Sequence, residues 1–349
     1  FLESTFLGAW IFGWDRLPKK VHLATIWLAS TGTLLSAYFI LAANSFMQHP
    51  TGYTFNSQTG RAELTDFAAV LTQNTVLTAF FHTVTSSFLV KDKSADVARP
   101  AMKMGLVTTL VASVLVFISG DMQARVMTQQ QPMKMAAAEA QFATSDHASF
   151  SVFTIGTPDG TKPLFQIRVP NVLSLMSTGS ASGTVEGIDD LQAQYTDTYG
   201  EADYTPVIPV AYWSFRLMIG LGALAGLFAL YALWATRGGR IPTRRWFARA
   251  ALAMPFLPLA GISWGWMFTE MARQPWLVFG LMRTEAGVSP AVSAAEVATS
   301  LVVLTLLYAA LAVVEFKLLA KAITLGPPQT VTVHDDANPE TDRVLTFSY

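Results

Sequence analysis

Six long apolar segments dominate the chain, and each is close to or above the about 20 residues that a helix needs to cross a bilayer. They cover approximately residues 21–48, 74–90, 101–120, 206–236, 246–271 and 295–323. A helix satisfies its own backbone hydrogen bonds, so it can stand in lipid as an open-ended element. Only 13% of the 349 residues are charged, about half of the roughly 25% typical of soluble domains. The sequence therefore excludes a disordered chain and disfavours a water-soluble globule.

Residues 1–14 form a shorter apolar stretch that carries a single charge, Glu3. As a helix this stretch would reach only about 21 Å, less than the roughly 30 Å of a hydrocarbon core. No positively charged region precedes it, so it does not resemble a signal peptide. We interpret it as the end of a membrane helix that starts before Phe1. The predicted fold is all-α: a polytopic transmembrane helix bundle with six full spans, one partial span and one long extracytoplasmic loop.

Basic residues are unequally divided between the connectors, and this bias sets the predicted orientation. Fifteen of the 23 lie on one side: Arg16, Lys19, Lys20, Lys91, Lys93, Arg99, Lys103, Arg237, Arg240, Arg244, Arg245, Arg249, Lys317, Lys321 and Arg343. The positive-inside rule makes that side cytoplasmic. We expect a multi-pass protein of the bacterial cytoplasmic membrane. Its predicted regions are membrane helices in 1–120, an extracytoplasmic loop in 121–205, three membrane helices in 206–325 and a cytoplasmic tail in 326–349.

The long connector is expected to carry function, because connections above about 12–15 residues are usually functional or disordered. Its pattern predicts a short helix within 129–142, short strands at 151–153 and 165–169, and a flexible tip at 177–183. The net charge of −1 offers no excess of positive charge to attract nucleic acid. The absence of cysteine excludes disulfides, Cys-ligated zinc, iron–sulfur clusters and thiol catalysis.

Ionisable residues inside apolar spans are costly, and a functional role is their default interpretation. His82, Arg216 and Glu270 each lie near the outer end of a predicted span, in one layer beside the long connector. Glu3 is expected to lie deeper. A lone His is more often structural than a ligand, and one Met among 13 is more often packed in a core or against lipid. The shared depth of His82 and Met218 favours a His/Met pair of haem ligands, with Arg216 able to neutralise a propionate. Arg216 and Met218 are two residues apart, however, and do not share a helix face.

Trp266, Glu270 and Arg273 follow helical spacing and lie on one face of their span. An interfacial aromatic belt with a snorkelling Arg would explain the tryptophan and the arginine. It would not explain Glu270, which needs a partner or a metal. Lys134 and Glu139, in the connector, are ordinary by themselves, and a solvated helix face is the simpler interpretation of that pair.

Taken together, a series of short motifs resembles subunit I of the bacterial cytochrome bd quinol oxidases over nearly the whole chain. In order they are Phe-Leu-Glu-Ser-Thr at 1–5, Gly-Trp-Asp-Arg-Leu at 13–17, Ala-Asn-Ser-Phe-Met-Gln at 43–48, Phe-His-Thr at 81–83, Gly-Asp at 120–121, Gln-Pro-Met-Lys-Met at 131–135, Phe-Arg-Leu-Met at 215–218 and Ala-Arg-Gln-Pro-Trp at 272–276. In the last motif Ala272 stands where the family usually has Gly. The family has roughly a hundred residues before the position of Phe1, which include two helices, the start of a third and a His ligand to a high-spin haem. We expect this segment to lie outside the chain.

The resemblance implies a role for each candidate residue. His82 and Met218 would be the axial ligands of a low-spin b haem, and Arg216 would support that haem. Lys134 and Glu139 would bind and oxidise quinol in the connector, which the family calls the Q-loop and which resembles its shorter form. Glu270 would ligate one of two high-spin haems, of b and d type. The remaining assignments are Trp266 between haem edges, Arg273 at haem propionates and Glu3 on the proton route to the oxygen site.

The implied function is that of a terminal respiratory oxidase, an iron-containing oxidoreductase of the electron transport chain. Quinol would be oxidised at the outer face and dioxygen reduced to water, with a proton gradient generated without pumping. The implied partners are a second, non-haem subunit, small single-helix accessory subunits and the lipid membrane, with no nucleic acid. The alternatives are a secondary transporter and a non-haem structural membrane subunit. The sequence leaves open whether the donor is ubiquinol or menaquinol and which high-spin haem Glu270 serves.

Overall fold

A computed structural model describes residues 2–14, 16–87, 98–157, 159–240, 242 and 244–325. The helices are α1 Leu2–Phe12, α2 Lys19–Gln48, α3 Phe67–Thr72, α4 Asn74–Ser87, α5 Ala98–Gln130, α6 Pro132–Glu139, α7 Val172–Thr178, α8 Ile188–Tyr199, α9 Ile208–Ala235, α10 Arg245–Ala253, α11 Phe256–Met271 and α12 Ala294–Leu325. The strands are β1 Tyr53–Asn56, β2 Arg61–Leu64, β3 Phe150–Gly156, β4 Pro163–Val169, β5 Trp276–Val278 and β6 Met282–Arg283. They form three antiparallel pairs, β1 with β2, β3 with β4 and β5 with β6. The predicted helical membrane bundle is confirmed.

Within the described residues, five helical segments are long and apolar enough to span a membrane, and one of them consists of the consecutive helices α10 and α11. They are Lys19–Gln48, Lys103–Gln130, Ile208–Ala235, Arg245–Met271 and Ala294–Leu318. Of the remaining predicted span, at 74–90, the structure describes the 14 residues of α4, and residues 88–90 lie outside the described part. The partial first span corresponds to α1, which has 11 residues. The predicted tail, at 326–349, also lies outside the described residues.

Two helix bounds differ from the apolar segments for identifiable reasons. Helix α5 continues ten residues beyond the predicted limit at 120, into a polar stretch that hydropathy does not mark as helical. Asp121 and Arg125 pair at i, i+4 with 3.0 Å between Oδ2 and Nη2, and α5 ends at Gln130, shortly before Pro132. The segment 246–271 is not one helix but α10 and α11, with a turn before Phe256. Pro255, at that turn, has no backbone N–H to donate to the preceding helical turn.

Four helices pack in a closed ring, in which α4 contacts α5, α5 contacts α9, α9 contacts α11 and α11 contacts α4. Small residues allow the close approach of α9 to its neighbours: Ala225, Gly226, Ala229 and Ala232 are buried. A Cβ at Gly226 would come within 2.9 Å of Ser113 Oγ on α5. The chain divides into two compact units, the first with α1 to α11 and the three strand pairs, the second with α12.

The long connector is folded around a hydrophobic core, which includes Met133, Leu191, Tyr195, Tyr204 and Trp276. The predicted short helix is α6, which occupies the centre of the range 129–142, and both predicted strands are present and longer than predicted. Helices α7 and α8 were not predicted. The expected flexible tip at 177–183 is instead closed by hydrogen bonds, including one from Ser174 Oγ to the Gly183 carbonyl at 2.6 Å.

Candidate functional site

The short helix α6 is buried between the connector and the ends of the membrane helices. Pro132 stands at its first turn, where the missing N–H costs nothing. The alanines at 136–138 are completely buried, and such small side chains let neighbouring elements approach closely. Lys134 and Glu139 are only 3% and 1% exposed, so the solvated helix face considered above is wrong. Five residues apart, they lie about 140° from each other around the helix and contact different partners.

Lys134 reaches toward α2 and α11. Its Nζ donates to Gln48 Oε1 at 3.1 Å and to the Thr269 carbonyl at 3.0 Å. It also lies 5.3 Å from the centroid of the Phe268 ring. Burial, aided by the positive charge of Arg273 and opposed by Glu270, lowers the pKa of Lys134 to about 7. A lysine that is half protonated near neutral pH can exchange a proton as well as hold an anionic or carbonyl oxygen.

Glu139 reaches toward α9 and β3. Its Oε2 lies 2.7 Å from Arg216 Nη2 and accepts a hydrogen bond from the Ser151 N–H at 2.8 Å. Burial raises the pKa of Glu139, while Arg216, the Ser151 N–H and Arg168 pull it downward. The raised pKa suits a carboxylate that accepts a proton from a bound donor.

Arg168 of β4 fixes the end of α6 just behind Glu139. Its guanidinium donates to the carbonyls of Glu139 at 2.7 Å and Ala140 at 2.9 Å, and to Gln141 Oε1 at 2.6 Å. Ala140 caps the helix in a left-handed conformation, and the donors of Arg168 satisfy carbonyls that the ended helix leaves free. Sequence reasoning missed Arg168, since only the pairing of β3 with β4 brings it beside α6.

Arg216 lies where a membrane helix meets the connector. Its guanidinium carbon is 4.7 Å from the centroid of Phe150 and 4.9 Å from that of Tyr212. Its Nε and Nη1 have no hydrogen-bond partner among the described residues. Two buried donors thus remain for a further acceptor besides Glu139.

Glu270, near the end of α11, is held by two groups. Arg273 Nη2 lies 2.6 Å from Oε2, as the shared face predicted. Asn44 Nδ2 of α2 donates to Oε1 at 2.7 Å, a partner that sequence reasoning did not find. The Glu270 side chain keeps 40% of its surface exposed, so it remains accessible to a ligand. Nε and Nη1 of Arg273 have no partner within the described part of the chain.

His82 and Met218 lie on two helices of the four-helix ring and face glycines. His82 Nδ1 is 3.2 Å from Ser119 Oγ of α5, and a Cβ at Gly120 would come within 3.4 Å of His82 Cε1. A Cβ at Gly265 of α11 would come within 2.9 Å of Met218 Sδ. The two side chains thus lie on separate helices of the ring, His82 on α4 and Met218 on α9.

Trp266 and Glu3 stand apart from these clusters. Trp266 is on α11 and 37% exposed, and Glu3 is half-buried on α1. Neither side chain makes a hydrogen bond or ion pair with another described residue. Their expected roles therefore stay predictions.

Comparison with known proteins decides the family. The model of the family described as cytochrome bd terminal oxidase subunit I matches residues 1–327. The chain belongs to this family. It is therefore an oxidoreductase subunit of the cytochrome bd type, which removes the secondary-transporter and non-haem alternatives. The family implies haem cofactors, a quinol substrate and a second subunit with which subunit I works.

Relatives of this cytochrome bd subunit are similar over most of its length. It is 40% identical over 323 residues to cytochrome bd ubiquinol oxidase subunit 1 of Bacillus subtilis, which covers 88% of this chain and 69% of the relative. It is 29% identical over 398 residues to cytochrome bd-II ubiquinol oxidase subunit 1 of Escherichia coli, covering 94% and 77%. The bd oxidase structure from Geobacillus thermodenitrificans is similar with a TM-score of 0.78 at 26% identity, covering 94% of this chain and 76% of that one.

The arrangement of the side chains fits the haem groups that the family implies. Arg216 and Arg273 each have two buried N–H-bearing atoms for which the described residues provide no acceptor, and a propionate is the kind of planar anion that a guanidinium binds. His82 turns Nδ1 toward α5, which leaves Nε2 for a metal, as is usual when the other ring nitrogen is hydrogen-bonded. The carboxylate of Glu270, on α11, is a separate anionic oxygen donor that stays accessible.

Proposed function

We propose that this subunit oxidises quinol at the outer membrane face and passes the electrons to dioxygen, which is reduced to water. The observation that carries the proposal is the burial of Lys134 and Glu139 on one short helix. That helix is wedged between α9, which bears Arg216 and Met218, and α11, which bears Glu270. A buried lysine and a buried carboxylate beside a membrane helix bundle suit a substrate that releases protons as well as electrons.

The quinol chemistry follows from the two side chains of α6. Oxidation of one quinol to quinone releases two electrons and two protons. The third N–H of Lys134 is not used by Gln48 or Thr269, so it can donate to a quinol oxygen. The Glu139 carboxylate can accept a proton, because burial raises its pKa. A narrow cleft with a cavity volume of about 10 Å³ adjoins Lys134 and is walled by Tyr204, Trp276 and Phe279, so a quinol ring requires these walls to move apart.

Three haems are proposed: a low-spin b haem, a high-spin b haem and a d haem, which when bound carry the electrons to dioxygen. His82 and Met218 would hold the low-spin group, and the free donors of Arg216 would bind its propionate. Glu270 would bind a high-spin iron, with Arg273 at the propionates and Trp266 between the haem edges. Glu3 would hold a proton on the route from the cytoplasm.

The proton gradient is proposed to arise because protons are released on one side of the membrane and taken up from the other. Quinol protons leave on the outer side, while the four protons needed to convert dioxygen to water enter from the cytoplasm. Charge then crosses the membrane without a pump. The positive-inside bias supports the orientation, with the connector outside and the basic loops within. The second subunit and small single-helix accessory subunits complete the proposed assembly.

The proposal is tested by combining spectra with oxygen uptake. The reduced-minus-oxidised absorption of the purified oxidase should show low-spin and high-spin haem bands. Lys134→Ala or Glu139→Ala should slow quinol-driven oxygen uptake while all haem bands persist. Lys162→Ala, at an exposed position of the same loop, is the matched control. Normal quinol kinetics in both test variants would move the quinol site elsewhere.

A further inference from the structure

A chain of hydrogen bonds joins two side chains that the proposed function treats separately. Lys134 Nζ donates to Gln48 Oε1 at 3.1 Å, Gln48 Nε2 donates to Asn44 Oδ1 at 2.5 Å, and Asn44 Nδ2 donates to Glu270 Oε1 at 2.7 Å. The chain therefore runs from α6 through the last turn of α2 to α11. It has no gap between the Lys134 ammonium and the Glu270 carboxylate.

While Lys134 is protonated, this hydrogen-bond chain has only one possible direction. An ammonium can only donate and an ionised carboxylate can only accept. The oxygen of the Gln48 amide must therefore face Lys134, which turns its NH₂ group toward Asn44. Asn44 is then obliged to accept with its oxygen and to donate with its NH₂ group to Glu270. Lys134 and Glu270 together fix the orientations of both amides, so a change in hydrogen bonding at Lys134 alters the hydrogen bond that Glu270 accepts.

We propose that Gln48 is a positioning residue, which aims Lys134 at the quinol and, through Asn44, couples the occupancy of the quinol site to Glu270. The inference rests on the quinol-binding role of Lys134 proposed above. Gln48 and Thr269 together hold two of the three N–H groups of Lys134, so the direction of the third is set. A quinone oxygen that accepts from this third N–H shifts the position of the ammonium. The shift alters the hydrogen bond from Lys134 to Gln48 and, through it, the bonds of Asn44 to Glu270.

The main chain around Gln48 is anchored independently of its side chain. Gln131 Nε2 donates to the Gln48 carbonyl at 2.6 Å, which ties α2 to the start of α6. Asn44 is 6% exposed, whereas Gln48 is only half-buried, at the last residue of α2. Substitution of the Gln48 side chain should therefore interrupt the hydrogen-bond chain and leave the contact between α2 and α6 intact.

The test uses the purified, fully oxidised holoenzyme and oxidised decylubiquinone, which binds without turnover. Affinity is measured by titration of tryptophan fluorescence, and coupling by the change in the haem absorption bands on binding. Gln48→Leu removes both amide functions and should raise the Kd of decylubiquinone about ten-fold, the size expected for a charge-assisted hydrogen bond. Gln58→Leu, an exposed glutamine in the turn between β1 and β2, is the matched control and should leave the Kd unchanged.

Gln48→Glu separates the two parts of the proposal. A glutamate still accepts from Lys134 but cannot donate to Asn44, so decylubiquinone should bind with less than a three-fold change in Kd while the response of the high-spin haem bands is lost. Wild-type affinity in Gln48→Leu would overturn the positioning role, and a preserved spectral response in Gln48→Glu would overturn the coupling. If Lys134→Ala itself bound decylubiquinone normally, the proposed quinol site would be refuted instead. Equal haem content in all variants shows that each is assembled.

Discussion

The lowered pKa of Lys134 predicts that the KM for quinol depends on pH near neutrality. Burial lowers that pKa from 10.5 to about 7, so the side chain is an ammonium at pH 6 and largely a neutral amine at pH 8. A hydrogen bond from a charged donor contributes about 1 kcal/mol more than one from a neutral donor, which is about five-fold in binding. The KM for quinol should therefore rise about five-fold between pH 6 and pH 8.

Two substitutions at Lys134 distinguish this cause from other titrating groups. Lys134→Arg keeps the charge throughout this range, since a guanidinium does not titrate in proteins, and should make the KM independent of pH. Lys134→Met should give a high KM that is also independent of pH. The measurement is initial oxygen uptake against quinol concentration from pH 5.5 to 9, with Lys162→Met as the control. If the KM of Lys134→Met rose with pH as steeply as that of the wild type, the reasoning would be refuted.

The same shift predicts how stability depends on pH. The unfolded chain binds the Lys134 proton up to its ordinary pKa of 10.5, whereas the folded chain releases it above about 7. The unfolded state thus holds more protons within that window, and the free energy of unfolding should rise with pH there. Across the window the free energy of unfolding should rise by about 5 kcal/mol in total. Below pH 7 the buried ammonium lowers the free energy of unfolding by this full amount. Lys134→Met should lack this slope in thermal unfolding of the purified protein.

Three further outcomes are expected at other residues. His82→Ala or Met218→Leu should remove the low-spin haem bands and leave the d-type band at least partly intact; unchanged low-spin bands would contradict the ligand assignment. Glu270→Ala should reduce high-spin haem content and oxygen turnover and spare the low-spin haem, whereas wild-type values for both would reduce Glu270 to a partner of Arg273. Arg168→Gln should lower the free energy of unfolding by about 1–3 kcal/mol, because it leaves buried carbonyls at the end of α6 with fewer donors. Hydrogen exchange of the α6 peptide reports the last change, and equal protection in mutant and wild type would count against it.

The sequence predicts those parts of the fold that depend on local hydropathy. Apolar segments are visible as long runs, so the membrane helices could be found without a structure. Their ends could not, because Asp121 and Arg125 continue α5 through a polar stretch and Pro255 divides a segment that is apolar on both sides. Hydropathy reports the environment of a side chain, whereas a helix end depends on backbone donors and acceptors.

The candidate site was predictable as a set of residue types and not as a set of contacts. Glu270 and its shared face with Arg273 follow from helical spacing, because those two residues are three apart. The contact of Glu270 with Asn44 joins residues 226 positions apart, and no local pattern contains it. One signal was available: Asn44 and Gln48 are amides one turn apart at the end of an apolar span, where unpaired polar groups are costly.

The spacing of Arg216 and Met218, which looked awkward in the sequence, is explained by the two neighbours of α9. Two residues are about 200° apart around a helix, so side chains in this relation face opposite sides. Arg216 pairs with Glu139 on the side of the connector, and Met218 packs against Gly265 on the side of α11. A single turn of α9 thus supports the proposed quinol carboxylate and the proposed haem ligand without placing them on one surface. It follows that a change at Glu139 can alter quinol oxidation while Met218 keeps its packing, which is why loss of quinol kinetics with intact haem bands is the outcome expected of this geometry.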